Sequence, residues 1–182
     1  MQNTNDREAI VRFVRPLLQD LDGQSRLPEV ERVARIASRL HDDPDEMKYR
    51  DLLFYLHPLG SWLRKTGNRS RALLALKGIA TDQELFRVEN SISRLEVPQT
   101  ALEIALASAL LIDRAGVRGA VQQLASARRE GLTIDEAVQK LAEDEPSPTW
   151  MSPKALEWLN GRKKSRIDFI RSFQTETELL DS

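Results

Sequence analysis

Two histidines are the only imidazoles this chain can bring to chemistry, and they sit in different settings. His41 lies in LHDDPDE, a literal His-Asp pair where a helical pattern meets Pro44. That position suits a His near a helix C-terminus followed by turn-forming aspartates, and we read it so. His57 closes the apolar run DLLFYLHPLG, a place where a helix end could offer a ring to a site. The inventory around them is narrow. With no cysteine, the chain excludes disulfides, iron–sulfur clusters and Cys-rich zinc sites, and two histidines cannot make a three-His site. The residue types allow a Ser–His–acid arrangement, but no strand–turn–helix Ser motif carries one. The eight glycines stand mostly alone, so no phosphate-cradling loop is spaced along the chain.

The elements that must position these groups are all helical. No stretch alternates as a strand does. Asn5 with Glu8 is spaced like a capping box, followed by Ile10, Val11, Val14, Leu17, Leu18 and Leu21 on one face, with Gly23 as the stop. Pro28 suits a first helical position ahead of Val30, Val33, Ala34, Ala37 and Leu40. Met47 to Leu56 reads as a buried helix. Thr81 with Glu84 and Thr133 with Glu136 open two more, and residues 101–115 form the most apolar one, stopped by Gly116. EDEPSPTWMSP at 143–153 is linker-like, and Ser152-Pro153 starts a last helix containing Leu156, Leu159, Phe169, Ile170 and Phe173. The expected fold is all-α: a single-domain helical bundle of about eight or nine helices, with a core over 4–142, a linker over 143–153 and a C-terminal helix over 154–180 packing back on that core.

Against this frame, residues 53–60, LFYLHPLG, resemble the run AALLHDIG that ends an apolar helix in small stand-alone bacterial members of the HD-domain metal-dependent phosphohydrolase superfamily. The similarity extends in order through AIVRFVRPLL at 9–18, Arg32-Val33, residues 72–95, ALASALLIDRAGVRGA at 105–120 and GRKKSRIDFIRSFQTETE at 161–178. In the helix at 105–120 the matching residues are Ala109, Asp113, Gly116 and Gly119. The resemblance implies an HD-like bundle. The family's metal-ligand positions fall here on Glu29, His57, Pro58 and Ser108, and a further His-Asp of its pocket falls on Ser25 and Arg26. One ligand of four keeps its residue type. Proline has no side-chain donor, a neutral Ser is a poor one, and two ligands hold a divalent ion weakly. The same resemblance therefore argues against metal-generated hydroxide and the family's reaction.

The expectation is a lapsed HD-fold protein that acts by binding, with no cofactor and no metal, whose partner is a protein or a small ligand. An alternative is a hydrolase with a relocated or metal-independent site, drawing on His57 as general base with Glu29, Asp51 and Asp113. Another is a nucleic-acid or anionic-partner surface built from Arg64, Lys65, Arg69 and Arg71 near Trp62, and Arg162, Lys163, Lys164 and Arg166 near Trp158. Overall charge does not favour nucleic acid: 27 Lys and Arg against 28 Asp and Glu leave a net charge of −1. A homo-oligomer is compatible with the pattern, and Trp62, Trp150 and Trp158 are the side chains to inspect for an apolar contact surface. No apolar run reaches the roughly 20 residues of a membrane span, and the opening MQNTNDRE lacks the regions of a signal peptide, so a cytoplasmic address and no membrane partner are expected.

Overall fold

A computed structural model describes residues 2–19, 26–142 and 147–180. No β-strand occurs among them, and the fold is all-α. The chain divides into two compact units, 1–109 and 110–182.

In the first unit, α1 spans Gln2–Val14 and continues as a 3-10 turn over Arg15–Leu18. Both ends depart from the sequence expectation. Asn5 lies inside the helix and does not cap it, because helical geometry already starts at Gln2. The helix does not run on to Leu21, because Pro16 has no N–H for the i→i−4 ladder and the backbone tightens around it. The Gly23 stop falls outside the described residues.

Helix α2, Leu27–Leu40, begins with Pro28 in its first turn and buries Val30, Val33, Ala34 and Ala37 on one stripe. A 3-10 turn at Pro44–Glu46 leads into α3, Met47–Leu56. Leu52, Leu53, Phe54 and Leu56 of α3 are fully buried, each contributing roughly 1.5–3 kcal/mol. That all-round burial follows from its neighbours, since α3 packs against α1, α2 and α6. His57–Leu59 form a further 3-10 turn, with Pro58 near its start, before the single-turn α4 at Gly60–Leu63.

Helix α5 covers Asn68–Ala75, and α6 covers Asp82–Ser93 with the Thr81–Glu84 capping box fully made. Helix α7 occupies Ala101–Ala115, as its apolar run predicts.

The second unit holds the end of α7, then α8 at Val117–Arg129, α9 at Ile134–Ala142 and α10 at Pro153–Leu180. Its core gathers Ala120, Val138, Leu141 and Ile170, with Leu124, Phe169 and Phe173 against them. The Thr133–Glu136 box opens α9: Thr133 N–H donates to Glu136 at 2.8 Å and Glu136 N–H to Thr133 Oγ1 at 3.2 Å. Residues 147–152 precede α10, and Met151 among them is buried.

Candidate functional site

His57 is fixed by the end of α3. Its Nδ1 lies 2.8 Å from the Phe54 carbonyl oxygen, which can only accept, so the proton is on Nδ1 and Nε2 carries the lone pair. Burial lowers the imidazole pKa from 6.5 to about 4, outweighing the Phe54 hydrogen bond and the Glu29 charge, with the Arg26 charge adding to the fall. Glu29 pairs with Arg26 at 3.6 Å. Thus Arg26, Glu29 and His57 share one neighbourhood, with Pro58 next in the chain. Ser25 lies outside the described residues. Ser108 is fully buried on α7, and its Oγ has no hydrogen-bond partner. Asp113 belongs to the second unit.

Among the described residues, His57 and Glu29 belong to no group of three or more His, Asp or Glu donors that converge. Another trio does. His41, Asp43 and Glu46 offer ligand atoms all within 4.8 Å of one another. Their local bonds already account for that closeness: His41 Nε2 lies 3.1 Å from Glu46 Oε2, and Asp43 Oδ1 accepts the Asp45 N–H at 2.9 Å to shape the turn. This is the helix-end turn expected from LHDDPDE.

The two basic segments lie in different units. In the first, Arg64, Lys65 and Arg71 are exposed, but Arg69 is held by Asp82 at 3.0 Å and Glu89 at 3.6 Å. Trp62 is half-buried and packs edge-on against Phe13, with ring centroids 6.0 Å apart. In the second, the stem of Arg162 lies against Gly116, Lys163 is half-buried, Lys164 is exposed, and the Arg166 Nε is buried without a hydrogen-bond partner. The ammonium of Lys154 sits over the Trp158 ring at 5.5 Å, while Trp150 is half-buried.

A different site emerges where α1, α2 and α3 meet. A cleft of about 510 Å³ is lined by Arg7 of α1, Arg35 and Arg39 of α2, and Arg50 of α3, with Tyr55 also in its wall. Asp51, a candidate for relocated chemistry, lines this cleft too. Its carboxyl pKa is raised by burial, against the opposing charges of Arg50 and Arg7. Arg7 also walls a neighbouring cleft of about 490 Å³ that includes Arg12 and Arg15. The basic segments at 64–71 and 162–166 are local in the chain, whereas these arginines converge from positions 7, 35, 39 and 50. The one local signal was the pair Arg35 and Arg39, four apart and therefore on one helix face.

Comparison with known proteins finds no matching family model, no matching curated protein and no matching solved structure.

Proposed function

We propose that this protein acts by binding and not by metal-assisted hydrolysis, on a helical scaffold of the HD type whose catalytic ligands have been lost. The observation that carries the reading is that, among the described residues, no group of three or more His, Asp or Glu donors converges at His57, the one ligand position that keeps its residue type. Its pKa of about 4 makes it a weak general base at neutral pH, while the Nδ1–H bond to the Phe54 carbonyl leaves Nε2 as a single imidazole donor. Around it the donor set is thin. Pro58 supplies no side-chain ligand, and Glu29 is engaged by Arg26. The HD-type scaffold is supported by five resembling segments in order and by helices formed over those segments.

A nucleic-acid role has less support, since Trp62 is packed on Phe13 and Arg69 is neutralised by two acids. A cytoplasmic location is part of the same proposal. Among the described residues, no helix is long and apolar enough to cross a membrane.

The test is the metal content and phosphoesterase activity of protein purified without chelator, beside His57→Ala. Under about a tenth of an equivalent of transition metal in both, with no turnover of a chromogenic phosphoester after adding Mn²⁺ or Fe²⁺, is the expected result, because two ligands hold such ions weakly. Near one equivalent of metal and measurable turnover, both lost in His57→Ala, would overturn the proposal.

A further inference from the structure

His41, Asp43 and Glu46 converge at the junction between α2 and α3, and each is half-buried where Asp42, Pro44 and Asp45 beside them are exposed. The acids of this turn are sorted. Asp42 turns away to Arg50, at 2.8 Å, whereas Asp43 and Glu46 gather with the imidazole. One ring nitrogen and two carboxylates make a mixed donor set. Calcium and magnesium take oxygen ligands, while a borderline ion such as zinc takes imidazole nitrogen and carboxylate oxygen together.

The spacing suits such an ion. Two donors each about 2.1 Å from one Zn²⁺, and roughly 95–110° apart around it, stand about 3.1–3.4 Å from each other. His41 Nε2 and Glu46 Oε2 are 3.1 Å apart. Because all three ligand atoms lie within 4.8 Å of one another, a point no more than about 2.8 Å from each exists, and small side-chain rotations bring them to bonding distance. Asp43 gives one oxygen to the Asp45 N–H, which fixes its carboxylate to the turn, and keeps the other. The hydrogen bonds that shape the turn thus hold the donors together before any ion arrives, which lowers the cost of ordering them.

A second feature favours positive charge at the same place. Helix α2 ends at Leu40, and the His41 N–H closes its last turn on the Ala37 carbonyl. The remaining carbonyls of that turn have no helical N–H to meet and form the negative end of the helix dipole.

We propose that His41, Asp43 and Glu46 bind a zinc-class divalent ion, with water completing its shell, and that the ion ties the end of α2 to the entry of α3. The ion takes the place of the proton that Nε2 shares with Oε2, and a protonated imidazole releases that proton to solvent. The site uses none of the residues around His57 and goes beyond the reading of the protein as one that acts by binding. The His41 and Glu46 side chains are 23% and 37% exposed, so the ion exchanges with buffer and has to be supplied.

The experiment is calorimetric titration of the whole chain with Zn²⁺ in chelator-free buffer, with Ca²⁺ titrated in parallel. One equivalent of Zn²⁺ should bind saturably and more tightly than Ca²⁺. His41→Gln and Glu46→Gln should each weaken it by at least about tenfold, since even a residue that only supports a ligand is worth that much. Asp45→Asn removes a charge from the same turn outside the trio and should leave binding nearly unchanged, as should His57→Ala. Circular dichroism of the metal-free variants checks that each is folded, and the other ligand variant carries the test if one is not.

No saturable uptake by the wild type would overturn the site. So would equal weakening by Asp45→Asn and His41→Gln, or Ca²⁺ held as tightly as Zn²⁺, since either shows attraction to acidic charge alone. Uptake that disappears in His57→Ala would place the ion at the other histidine and overturn it too. Phosphoester turnover that depends on His57 removes the binding reading and leaves this site standing.

Discussion

Ser91 Oγ stands 2.6 Å from Oε1 of Glu103, and both side chains are buried. Since Ser91 donates its only hydroxyl proton to the carboxylate, Tyr49 must donate to Ser91 across their 3.0 Å contact. Arg94 Nη2 shares the same carboxylate oxygen at 2.6 Å, and the N–H groups of Gln99 and Thr100 reach the other at 2.9 and 3.1 Å. A fully buried carboxylate is tolerated because every donor it needs converges on it.

Replacing Glu103 by Ala should therefore cost about 3 kcal/mol, as expected for removing one member of a buried charged network. Urea denaturation measures the loss. Glu103→Gln, which keeps the shape and part of the bonding, should cost less. Burial alone would raise the Glu103 pKa, but the bonds from Ser91, Gln99, Arg94 and Thr100 bring it below its usual 4.5. The folded state thus holds this proton less tightly than the unfolded chain. Its contribution is present above pH 4.5 and is lost as pH falls through the folded value.

His57 gives acid sensitivity in a higher window. Its pKa is 6.5 unfolded and about 4 folded, so neither state is protonated well above pH 6.5. Between those values the unfolded chain gains a proton that the folded chain refuses. Stability should fall by about 1.4 kcal/mol per pH unit, toward a total of about 3 kcal/mol. Denaturation midpoints from pH 7.5 to pH 4.5 should show this slope, and His57→Gln should flatten it. A slope unchanged in the variant would refute the assignment.

Gly60 leaves no room for a side chain. A Cβ there would meet Ile92 Cγ2 at 2.6 Å, which draws α4 and α6 together. Gly60→Ala should destabilise by about 1–3 kcal/mol despite the better helix propensity of Ala. Pairing it with Ile92→Ala should give a double variant more stable than the sum of the single losses predicts. Strict additivity in thermal unfolding would show that the contact is not the cause.

At Gly119 the obstacle is backbone. A Cβ would run into the carbonyl of Arg114, so the turn from α7 into α8 requires glycine at that position. Gly119→Ala should cost more than Gly60→Ala, about 3 kcal/mol or above, because a carbonyl cannot rotate aside as a side chain can. Circular dichroism melts of the two variants compare them directly.

Much of the helical layout was legible because its signals are local. Pro28, the two Thr-x-x-Glu boxes and the apolar run at 101–115 each fix a boundary with groups a few residues apart. The start of α1 departs from its local signal, since Asn5 and Glu8 have capping spacing while the helix begins at Gln2. Glu103 was invisible for a different reason. Its partners Ser91 and Arg94 precede it by 12 and 9 residues, on the far side of a turn, so no periodic pattern announces that a lone acid on an apolar helix is satisfied. The arginine cleft is less legible still, being assembled from three helices. Arg26, Glu29 and His57 share a neighbourhood, whereas Asp51, named from the sequence as a candidate for relocated chemistry, lines the cleft.

Helix α3 carries Tyr49 into the buried network and Arg50, Asp51 and Tyr55 into the cleft wall. A cation gripping His41, Asp43 and Glu46, at the entry to α3, would thus be gripping a segment that must come apart when the core melts. Occupancy and cohesion are then linked by mass action, and each tenfold excess of free ligand over its dissociation constant adds about 1.4 kcal/mol of resistance to unfolding. Amide protons of α3 would exchange more slowly in the occupied protein, so the helix reports on its own ligand.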